Sequence, residues 1–450
     1  MMKFTIKTFG CKVNQYESQA IRESLQAGGA REIEKPGEPA DLVIVNTCTV
    51  TRDADRSACY WIRRLKRENP DSRLAVTGCL AERDRAILEG MKEVDFIFKN
   101  QEKQRIADFL IAGTPKTKSV GMVSDRAEHK GFLPLSVSMS DGKTRATVKI
   151  QDGCNNACSY CKVVLARGPS RSRSLGDILD EVRRLADNGY KEIVLAGVQL
   201  GSYRDGIGDH SNSLVRVIEK CSKIQGIVRI RLSSIELTDI RDPLIRSFRD
   251  IPKLCPHLHI PIQSGSNSVL KNMNRRYSAE DCVKLIEKMR SKIPDFCLTT
   301  DVIVGFPGES EDDFGESLKV LETLRPLKSH VFPYSPREGT RAALLRGLPG
   351  RVVRDRANRM IRRMDCVSRE VRKAFIGKTV EVLVEHRNPR SRYREGRTAN
   401  GLRVFFDFPK EGQGCIIPVV LRELFEDGIA GTWQNSGEGD RDGFFMESDR

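Results

Sequence analysis

Residues 147–161 read TVKIQDGCNNACSYC, a strand pattern followed by a loop with three cysteines, Cys154, Cys158 and Cys161. Their spacings of four and three residues allow the thiolates to converge from one loop on a single metal cluster. Iron–sulfur clusters are held by Cys thiolates, and three ligands to a four-iron cubane leave one iron open for chemistry. The alternative is a structural zinc site with a distant fourth ligand, such as His257 or His259.

Strand and helix patterns alternate from this loop onward. The predicted strands are 147–150, 192–196, 228–232, 258–261, 300–304 and 329–332. About six β/α units predict an open or partial (β/α)6 barrel, because a closed barrel of eight units needs more chain than is available. We place this core domain at 140–372.

The first 115 residues form a smaller version of the same pattern. Predicted strands at 3–9, 41–46 and 73–77 alternate with helices at 17–26 and 54–68, which indicates an open parallel α/β sheet. A cysteine follows each strand: Cys11, Cys48 and Cys79. Since loops at the carboxyl ends of parallel strands line one crevice, we expect the three thiols to converge. Three buried structural thiols are the alternative.

The other seven cysteines lack ligand spacing. Cys59 falls in the middle of a predicted helix and fits neither trio. The remaining six are predicted to be core residues: Cys221, Cys255, Cys282, Cys297, Cys366 and Cys415.

The rest of the chain predicts a third domain. Residues 115–142 are polar and indicate a linker, and residues 341–373, with eleven Lys or Arg against three Asp or Glu, predict a helix with a cationic face. Short alternating strands over 375–440 predict a small C-terminal β-barrel. The expected fold class is therefore α/β, with an N-terminal open parallel sheet, a central partial barrel and a C-terminal β-barrel.

The composition of the chain indicates the kind of partner that it binds and where in the cell it is found. The 450 residues carry 76 Lys or Arg against 61 Asp or Glu, a net charge of +15, which favours nucleic acid as a partner. No apolar run of 18 residues predicts a membrane span, and the N-terminus lacks the pattern of a secretory signal. Thirteen cysteines in such a chain indicate reduced thiols and a cytoplasmic location.

The two cysteine trios together resemble a known family. The Cys154–Cys161 loop resembles the signature of radical S-adenosylmethionine (SAM) enzymes. With GCKVNQYE at 10–17 and VNTCTVT at 45–51, nearly the whole chain resembles the methylthiotransferase branch of that superfamily. The resemblance implies a SAM-cleaving 4Fe-4S cluster on the first trio, a second 4Fe-4S cluster that handles sulfur on Cys11, Cys48 and Cys79, and a TRAM-like RNA-binding barrel at 375–440.

SAM contacts are expected at the carboxyl ends of the core strands, where barrel active sites lie. Ser234 and Glu236 are predicted to bind the ribose, and Gly197 to let the backbone approach the ligand closely. The other candidates for this pocket are Gln263, Gly305 and Pro307, with Asp152 and Tyr203 ranked lower. For each residue, ordinary turn chemistry at a strand end is the alternative.

Contacts to RNA are expected in two places. Arg167, Arg171 and Arg173 follow the cysteine loop and are predicted to bind an anionic substrate or phosphate. Aromatic side chains available for base stacking in the C-terminal barrel are Tyr393, Phe405, Phe406 and Trp433.

The resemblance implies that the enzyme adds a 2-methylthio group to N6-threonylcarbamoyladenosine at position 37 of tRNA, in the anticodon stem-loop. It also implies a sulfur donor and a reductant such as flavodoxin or ferredoxin. Alternatives with the same chemistry are N6-isopentenyladenosine in tRNA and a ribosomal protein. A non-catalytic, metal-stapled RNA-binding protein and a redox sensor are alternatives from other classes.

Overall fold

The computed structural model describes residues 1–33, 37–49, 51–111, 131–139, 142–206, 212–385, 393–408 and 412–434. Most of the predicted linker at 115–142 and residues 435–440 of the predicted C-terminal barrel lie outside these ranges. The predicted fold class is confirmed: a parallel sheet, a core of parallel strands and a closed barrel follow one another. Among the described helices, none has the length and apolarity needed to cross a bilayer.

The N-terminal sheet has the order β2-β1-β3-β4-β5, with all strands parallel. Its central strand β3 is buried along its whole length, because helices α1 and α5 cover one face and helices α2 to α4 cover the other. The elements are β1 (Lys3–Thr8), α1 (Lys12–Ala27), β2 (Arg31–Glu32), β3 (Leu42–Thr47), α2 (Arg52–Glu68), β4 (Arg73–Gly78), α3 (Cys79–Arg83), α4 (Arg85–Glu89), β5 (Phe96–Ile97) and α5 (Ile106–Ile111).

The core contains two parallel three-stranded sheets, β6-β9-β10 and β11-β12-β13. Bridges from Ile230 to Leu254 and from Ser234 to His259 connect them, so the six strands follow one another in a single arc. Their order in space is their order in the chain, as expected for a partial (β/α)6 barrel. The strands are β6 (Arg145–Lys149), β9 (Glu192–Ala196), β10 (Arg229–Leu232), β11 (His257–His259), β12 (Cys297–Val304) and β13 (Lys328–Pro333); the short antiparallel pair is β7 (Gln151–Asp152) and β8 (Arg171–Ser172).

Helices cover the outside of this arc. Their apolar faces pack on the strands in one large core cluster, while the last helix, α13, lies against β12 and β13. The helices are α6 (Val163–Arg167), α7 (Leu175–Asp187), α8 (Ser213–Ser222), α9 (Asp242–Asp250), α10 (Asn267–Asn272), α11 (Ala279–Lys292), α12 (Glu311–Leu324) and α13 (Gly350–Lys373).

The C-terminal strands close into a barrel with the order β14-β15-β16-β18-β17. It packs against the amino-terminal ends of the core strands: Arg145, the first residue of β6, lies 2.6 Å from Glu385, and Arg231 in β10 donates to the carbonyls of Thr398 and Ala399. The cysteine loop therefore lies at the opposite end of the core. The strands are β14 (Thr379–Val384), β15 (Arg394–Thr398), β16 (Arg403–Phe406), β17 (Ile416–Phe425) and β18 (Gly428–Trp433).

A buried ion network joins the N-terminal sheet domain to the core. Glu17 of α1 contacts Lys103, lies 2.7 Å from Lys149 and 2.9 Å from Arg167, and all four side chains are at most 2% exposed. Asp152 shares Lys149 and Arg167, at 2.7 and 3.0 Å. Burial alone would raise the pKa of Glu17, but the three cations hold it well below its usual range. The Glu17 carboxylate is therefore ionised, and both of its oxygens bind cations at the junction.

We expect Glu17→Ala to destabilise the protein by about 3–5 kcal/mol, because Lys103 would lose its carboxylate partner and stay buried. Urea unfolding followed by circular dichroism measures this change. The matched control is Glu68→Ala, which removes an exposed pair with Arg64 and should leave the unfolding midpoint close to that of the wild type. Equal unfolding midpoints for the two variants would show that the network does not stabilise the junction.

Candidate active site

The loop with the first cysteine trio is held in place from its outer side. The Ala157 carbonyl accepts a hydrogen bond from Asn274 Nδ2 at 2.8 Å, and the Ser159 amide donates to the Met273 carbonyl at 3.0 Å. The Ala342 amide donates to the Ser159 carbonyl at 2.8 Å. Contacts from the end of α10 and from the segment before α13 thus fix the loop, with Cys154, Cys158 and Cys161 left partly exposed.

Two further features set the path of this loop. Gly153 has φ +73°, and a Cβ there would lie 2.0 Å from the Pro169 carbonyl oxygen, so the returning chain passes too close for any other residue. Tyr160 packs edge-on against Phe306 at 6.5 Å, and Phe306 packs against Tyr334 at 5.3 Å. These rings anchor the loop between its last two cysteines.

Hydrogen-bond donors lie close to the sulfurs. The Asn156 amide is 3.4 Å from Cys154 Sγ, and Arg275 Nη1 is 3.4 Å from Cys158 Sγ. N–H donors of this kind stabilise thiolates and orient metal ligands. Burial raises the pKa of Cys161 to about 12, so a thiolate there needs a strong cationic partner such as a metal.

Arg275 also connects this trio to a predicted SAM ligand. Its Nη2 lies 2.6 Å from Glu236 Oε1, at the end of β10. Burial raises the pKa of Glu236, and Arg275 opposes that rise. Sequence reasoning missed Arg275, because its position after α10 belongs to no spacing pattern with the cysteines.

The other predicted SAM residues lie at the same end of the strands. Gln263 has φ +69°, a strained conformation for a residue that is not glycine and one that is enriched at functional sites. Ser234 is half-buried and bridges to β11. Pro307 is buried. A ligand role remains a prediction for each of them.

Two glycines in this set are required by packing. A Cβ on Gly197 would lie 2.8 Å from Gln151 Oε1, and one on Gly305 would lie 2.7 Å from a methyl group of Val353 in α13. Glycine is therefore needed at both positions because neighbouring protein atoms lie where a side chain would be. For Gly197, the sequence predicts instead that the backbone approaches a ligand.

The second trio follows the neighbouring strands β1, β3 and β4. A Cβ on Gly10 would lie 2.6 Å from the Cβ and 2.8 Å from the Sγ of Cys48, and one on Gly78 would lie 2.3 Å from the Thr47 carbonyl oxygen. The loops that carry Cys11, Cys48 and Cys79 therefore touch one another. Burial raises the pKa of Cys79, while Arg167 and Lys103 lower it.

The segments that carry the two trios are in contact across the domain junction. Lys162, next to Cys161, lies 2.7 Å from Asp84, at the end of the short helix that Cys79 begins. Asn100 Nδ2 donates to the carbonyl of Ala166 at 3.0 Å. Burial raises the pKa of Cys79, and the charge of Arg167, at the end of α6, opposes that rise.

Both trios consist of thiols, the donor type that holds iron–sulfur clusters. In the described ranges, no three Cys, His, Asp or Glu side chains are grouped closely enough for one metal ion. The proposed zinc ligands are engaged elsewhere, since His257 and His259 both contact Thr299, and His259 lies 3.1 Å from Asp301. Cubane clusters bind each thiolate through a different iron, so their ligands need not share one ion.

The arginines predicted to bind the substrate are placed differently. Arg167 is buried against Glu17 and Asp152, and Arg173 lies 2.9 Å from Glu181. Both arginines are therefore unavailable to phosphate, because each one neutralises a carboxylate that is buried beside it. Arg171 has a side chain that is 14% exposed and donates to the Arg167 carbonyl.

The two lower-ranked pocket candidates also belong to the protein interior. Asp152 is part of the junction network. Burial alone would raise its pKa, but the charges of Lys149 and Arg167 outweigh burial and lower the pKa to about 2. Tyr203 is fully buried, and its hydroxyl donates to the Arg173 carbonyl at 3.0 Å.

The remaining cysteines match their prediction only in part. Cys221, Cys255, Cys282 and Cys297 are buried, and burial raises the pKa of each thiol. The core prediction is wrong for Cys366 and Cys415, which are exposed on α13 and before β17.

The predicted RNA-binding groups are only partly accessible. Phe406 lies in the barrel core, whereas Phe405, on the opposite face of β16, is buried against Phe425 with ring centroids 5.0 Å apart. Tyr393 and Trp433 are half-buried, and Trp433 packs edge-on against Phe408 at 4.9 Å. In α13, Arg356 pairs with Glu309 at 2.6 Å and Arg359 with Glu311 at 2.7 Å. Part of its cationic face is thus used in packing.

Comparisons with known proteins agree with this geometry. Residues 148–321 match the radical SAM superfamily, and residues 3–99 match the uncharacterized protein family UPF0004. In fold, the chain is similar to the radical SAM methyltransferase TsrM from Kitasatospora setae, with a TM-score of 0.54 and 15% identity over 76% of this chain and 77% of that one.

Similarity to curated proteins extends over most of the chain. It is 37% identical to the threonylcarbamoyladenosine tRNA methylthiotransferase MtaB of Chlamydia pneumoniae, over 95% of this chain and 97% of that protein. It is 39% identical to the tRNA-2-methylthio-N(6)-dimethylallyladenosine synthase of Acetivibrio thermocellus, over 85% and 80%. The chain therefore belongs to the radical SAM methylthiotransferase family.

Proposed function

We propose that this protein is a tRNA methylthiotransferase that adds a 2-methylthio group to N6-threonylcarbamoyladenosine at position 37, beside the anticodon. The observation that carries the proposal is the pair of cysteine trios on facing sides of one junction, connected through Lys162 and Asp84. A radical step on adenine and a sulfur-transfer step require their centres close together.

Each trio has a proposed cofactor. Cys154, Cys158 and Cys161 would hold a 4Fe-4S cluster that supplies the electron for reductive cleavage of SAM, and Cys11, Cys48 and Cys79 would hold a further 4Fe-4S cluster for sulfur. Arg275 orients Cys158 and at the same time places the Glu236 carboxylate. That carboxylate is proposed to accept hydrogen bonds from the ribose of SAM, with Ser234 beside it and Gln263, Gly305 and Pro307 around the adenine.

The choice of nucleoside rests on sequence. The stretch GCKVNQYE at 10–17 favours the threonylcarbamoyl branch. Relatives of both names match this chain at similar identity and coverage, from 34 to 39% identity over 85 to 95% of its length, so the choice comes from the stretch at 10–17 alone. N6-isopentenyladenosine is therefore the second candidate. A reductant such as flavodoxin or ferredoxin and a sulfur donor are the further proposed partners.

Cysteine variants test the two-cluster proposal. Reconstituted wild-type protein should hold about eight irons per chain, and replacing either trio with alanine should leave about four. The variant without Cys154, Cys158 and Cys161 should form no 5′-deoxyadenosine from SAM. The variant without Cys11, Cys48 and Cys79 should form it but yield no methylthio product. Iron analysis and chromatography of the products measure both outcomes.

The matched control is Cys366→Ala, which removes an exposed cysteine outside both trios and should leave iron content and activity unchanged. Zinc without iron in the wild-type protein would instead support a metal-stapled RNA-binding protein. Methylthio product from the variant that lacks Cys11, Cys48 and Cys79 would contradict the sulfur-handling role.

Nucleoside analysis tests the substrate. A strain that lacks the gene should lose 2-methylthio-N6-threonylcarbamoyladenosine from its tRNA and keep the unmodified threonylcarbamoyl nucleoside, because only the last step is missing. Returning the wild-type gene to this strain should restore the product, and returning a gene that carries Cys154→Ala should not. Loss of the methylthio group from the isopentenyl nucleoside would reject the choice of substrate and leave the chemistry intact.

A further inference from the structure

Helix α2 presents a row of arginines along a groove. At 100° per residue, Arg52, Arg56, Arg63 and Arg67 fall within about 60° of one another around the helix axis. All four are exposed and line a groove of about 620 Å³ between α2 and the segment after it, with Tyr60 and Ile87 in its walls. We call this feature the α2 groove.

The charges in the α2 groove are free to bind a ligand. Among the described residues, Arg52, Arg63 and Arg67 pair with no carboxylate, and Arg56 lies 3.7 Å from Asp53 in a largely exposed pair. Of the two carboxylates in the groove, Asp55 is already bound by Arg337. The groove therefore keeps an excess of positive charge, unlike α13, where carboxylates pair with several arginines.

The groove starts beside the second cysteine trio. The amide of Arg52 donates to Ser335 Oγ at 3.1 Å, just after β13 ends. Arg337 contacts Asp55 and donates to Thr49 Oγ1 at 2.6 Å, one residue after Cys48. The 17 residues of α2 then extend for about 25 Å away from the trio.

We propose that the α2 groove binds the phosphate backbone of the tRNA anticodon stem while the loop base is in the active site. This inference rests on the proposed function and adds to it a surface that binds the RNA backbone. A row of four arginines, three of them without a carboxylate partner among the described residues, can contact several phosphates along one strand. The exposed ring of Tyr60 offers a face for stacking on a sugar or base.

An acidic redox protein is the competing occupant. Six of the nine residues that line the α2 groove are charged, and four of these are arginines on one face of the helix. Guanidinium groups bind phosphate oxygens bidentately, so a row of them along a helix of about 25 Å favours a nucleic-acid strand.

The test uses reconstituted full-length protein and a synthetic anticodon stem-loop that carries N6-threonylcarbamoyladenosine. Arg63→Glu combined with Arg67→Glu should weaken binding about tenfold or more at about 0.1 M salt, and should reduce the slope of log K against log salt by about 1.4 to 2. Arg63→Lys combined with Arg67→Lys should keep most of the affinity, since the charges remain. Fluorescence anisotropy measures both quantities.

The matched control reverses two charges in a second groove, of about 450 Å³, on the outside of the core. Arg183→Glu combined with Lys220→Glu changes the net charge equally and should bind RNA within about twofold of wild type. Unchanged affinity and salt slope in the Arg63 and Arg67 reversal would overturn the proposal. So would unchanged RNA binding with slower reduction of the protein by flavodoxin, which would assign the groove to a redox partner. Failure of the wild-type protein to bind the stem-loop would instead reject the proposed function itself.

Discussion

The buried contact between Glu17 and Arg167 determines how the two cysteine trios meet. It joins α1, which starts next to Cys11, to α6, which starts two residues after Cys161. Lys103, Lys149 and Asp152 complete the buried network, and Arg171 lies 3.9 Å from Asp152 at its edge. Removing any one of the buried charges would leave its partner uncompensated in the interior, which is costly. The network therefore fixes α1 against α6 and, with them, the loops that carry Cys11 and Cys161.

Much of the architecture was predictable because it depends on local patterns. The six core strands and the two long helices of the first domain, α1 and α2, follow from hydrophobic periodicity, whereas the short helices α3 to α5 were not predicted. The proximity of the loops that carry Cys11, Cys48 and Cys79 follows from their common position after parallel strands. The roles of Arg167 and Arg173 were not predictable in this way. Sequence shows that a residue is charged, but burial of that charge depends on a carboxylate supplied by a distant element, such as Glu17 or Glu181. Arg275 was missed for the same reason.

The basic composition of the chain has more than one structural use. Arg356, Arg229 and Arg231 are buried, and each pairs with a carboxylate or donates to backbone carbonyls where elements pack together. Net charge therefore overstates the surface available to RNA. Because Phe406 lies in the core of the C-terminal barrel and Phe405 is buried against Phe425, that domain has fewer stacking groups than its sequence indicates. The position of charge in the fold, rather than its total, identifies where a polyanion can bind.

The position of the C-terminal barrel limits how RNA can approach. The barrel contacts Arg145, Arg229 and Arg231 near the amino ends of the core strands, whereas the cysteine loop lies at the carboxyl ends. The edge strand β13 is largely exposed on the side between these two ends, with Phe332 39% accessible. Just after this strand, Ser335 accepts a hydrogen bond from the Arg52 amide, and Arg337 donates to Thr49, next to Cys48. An RNA that spans both ends would then contact the C-terminal barrel at one end and the first domain at the other, so neither surface alone would account for its binding.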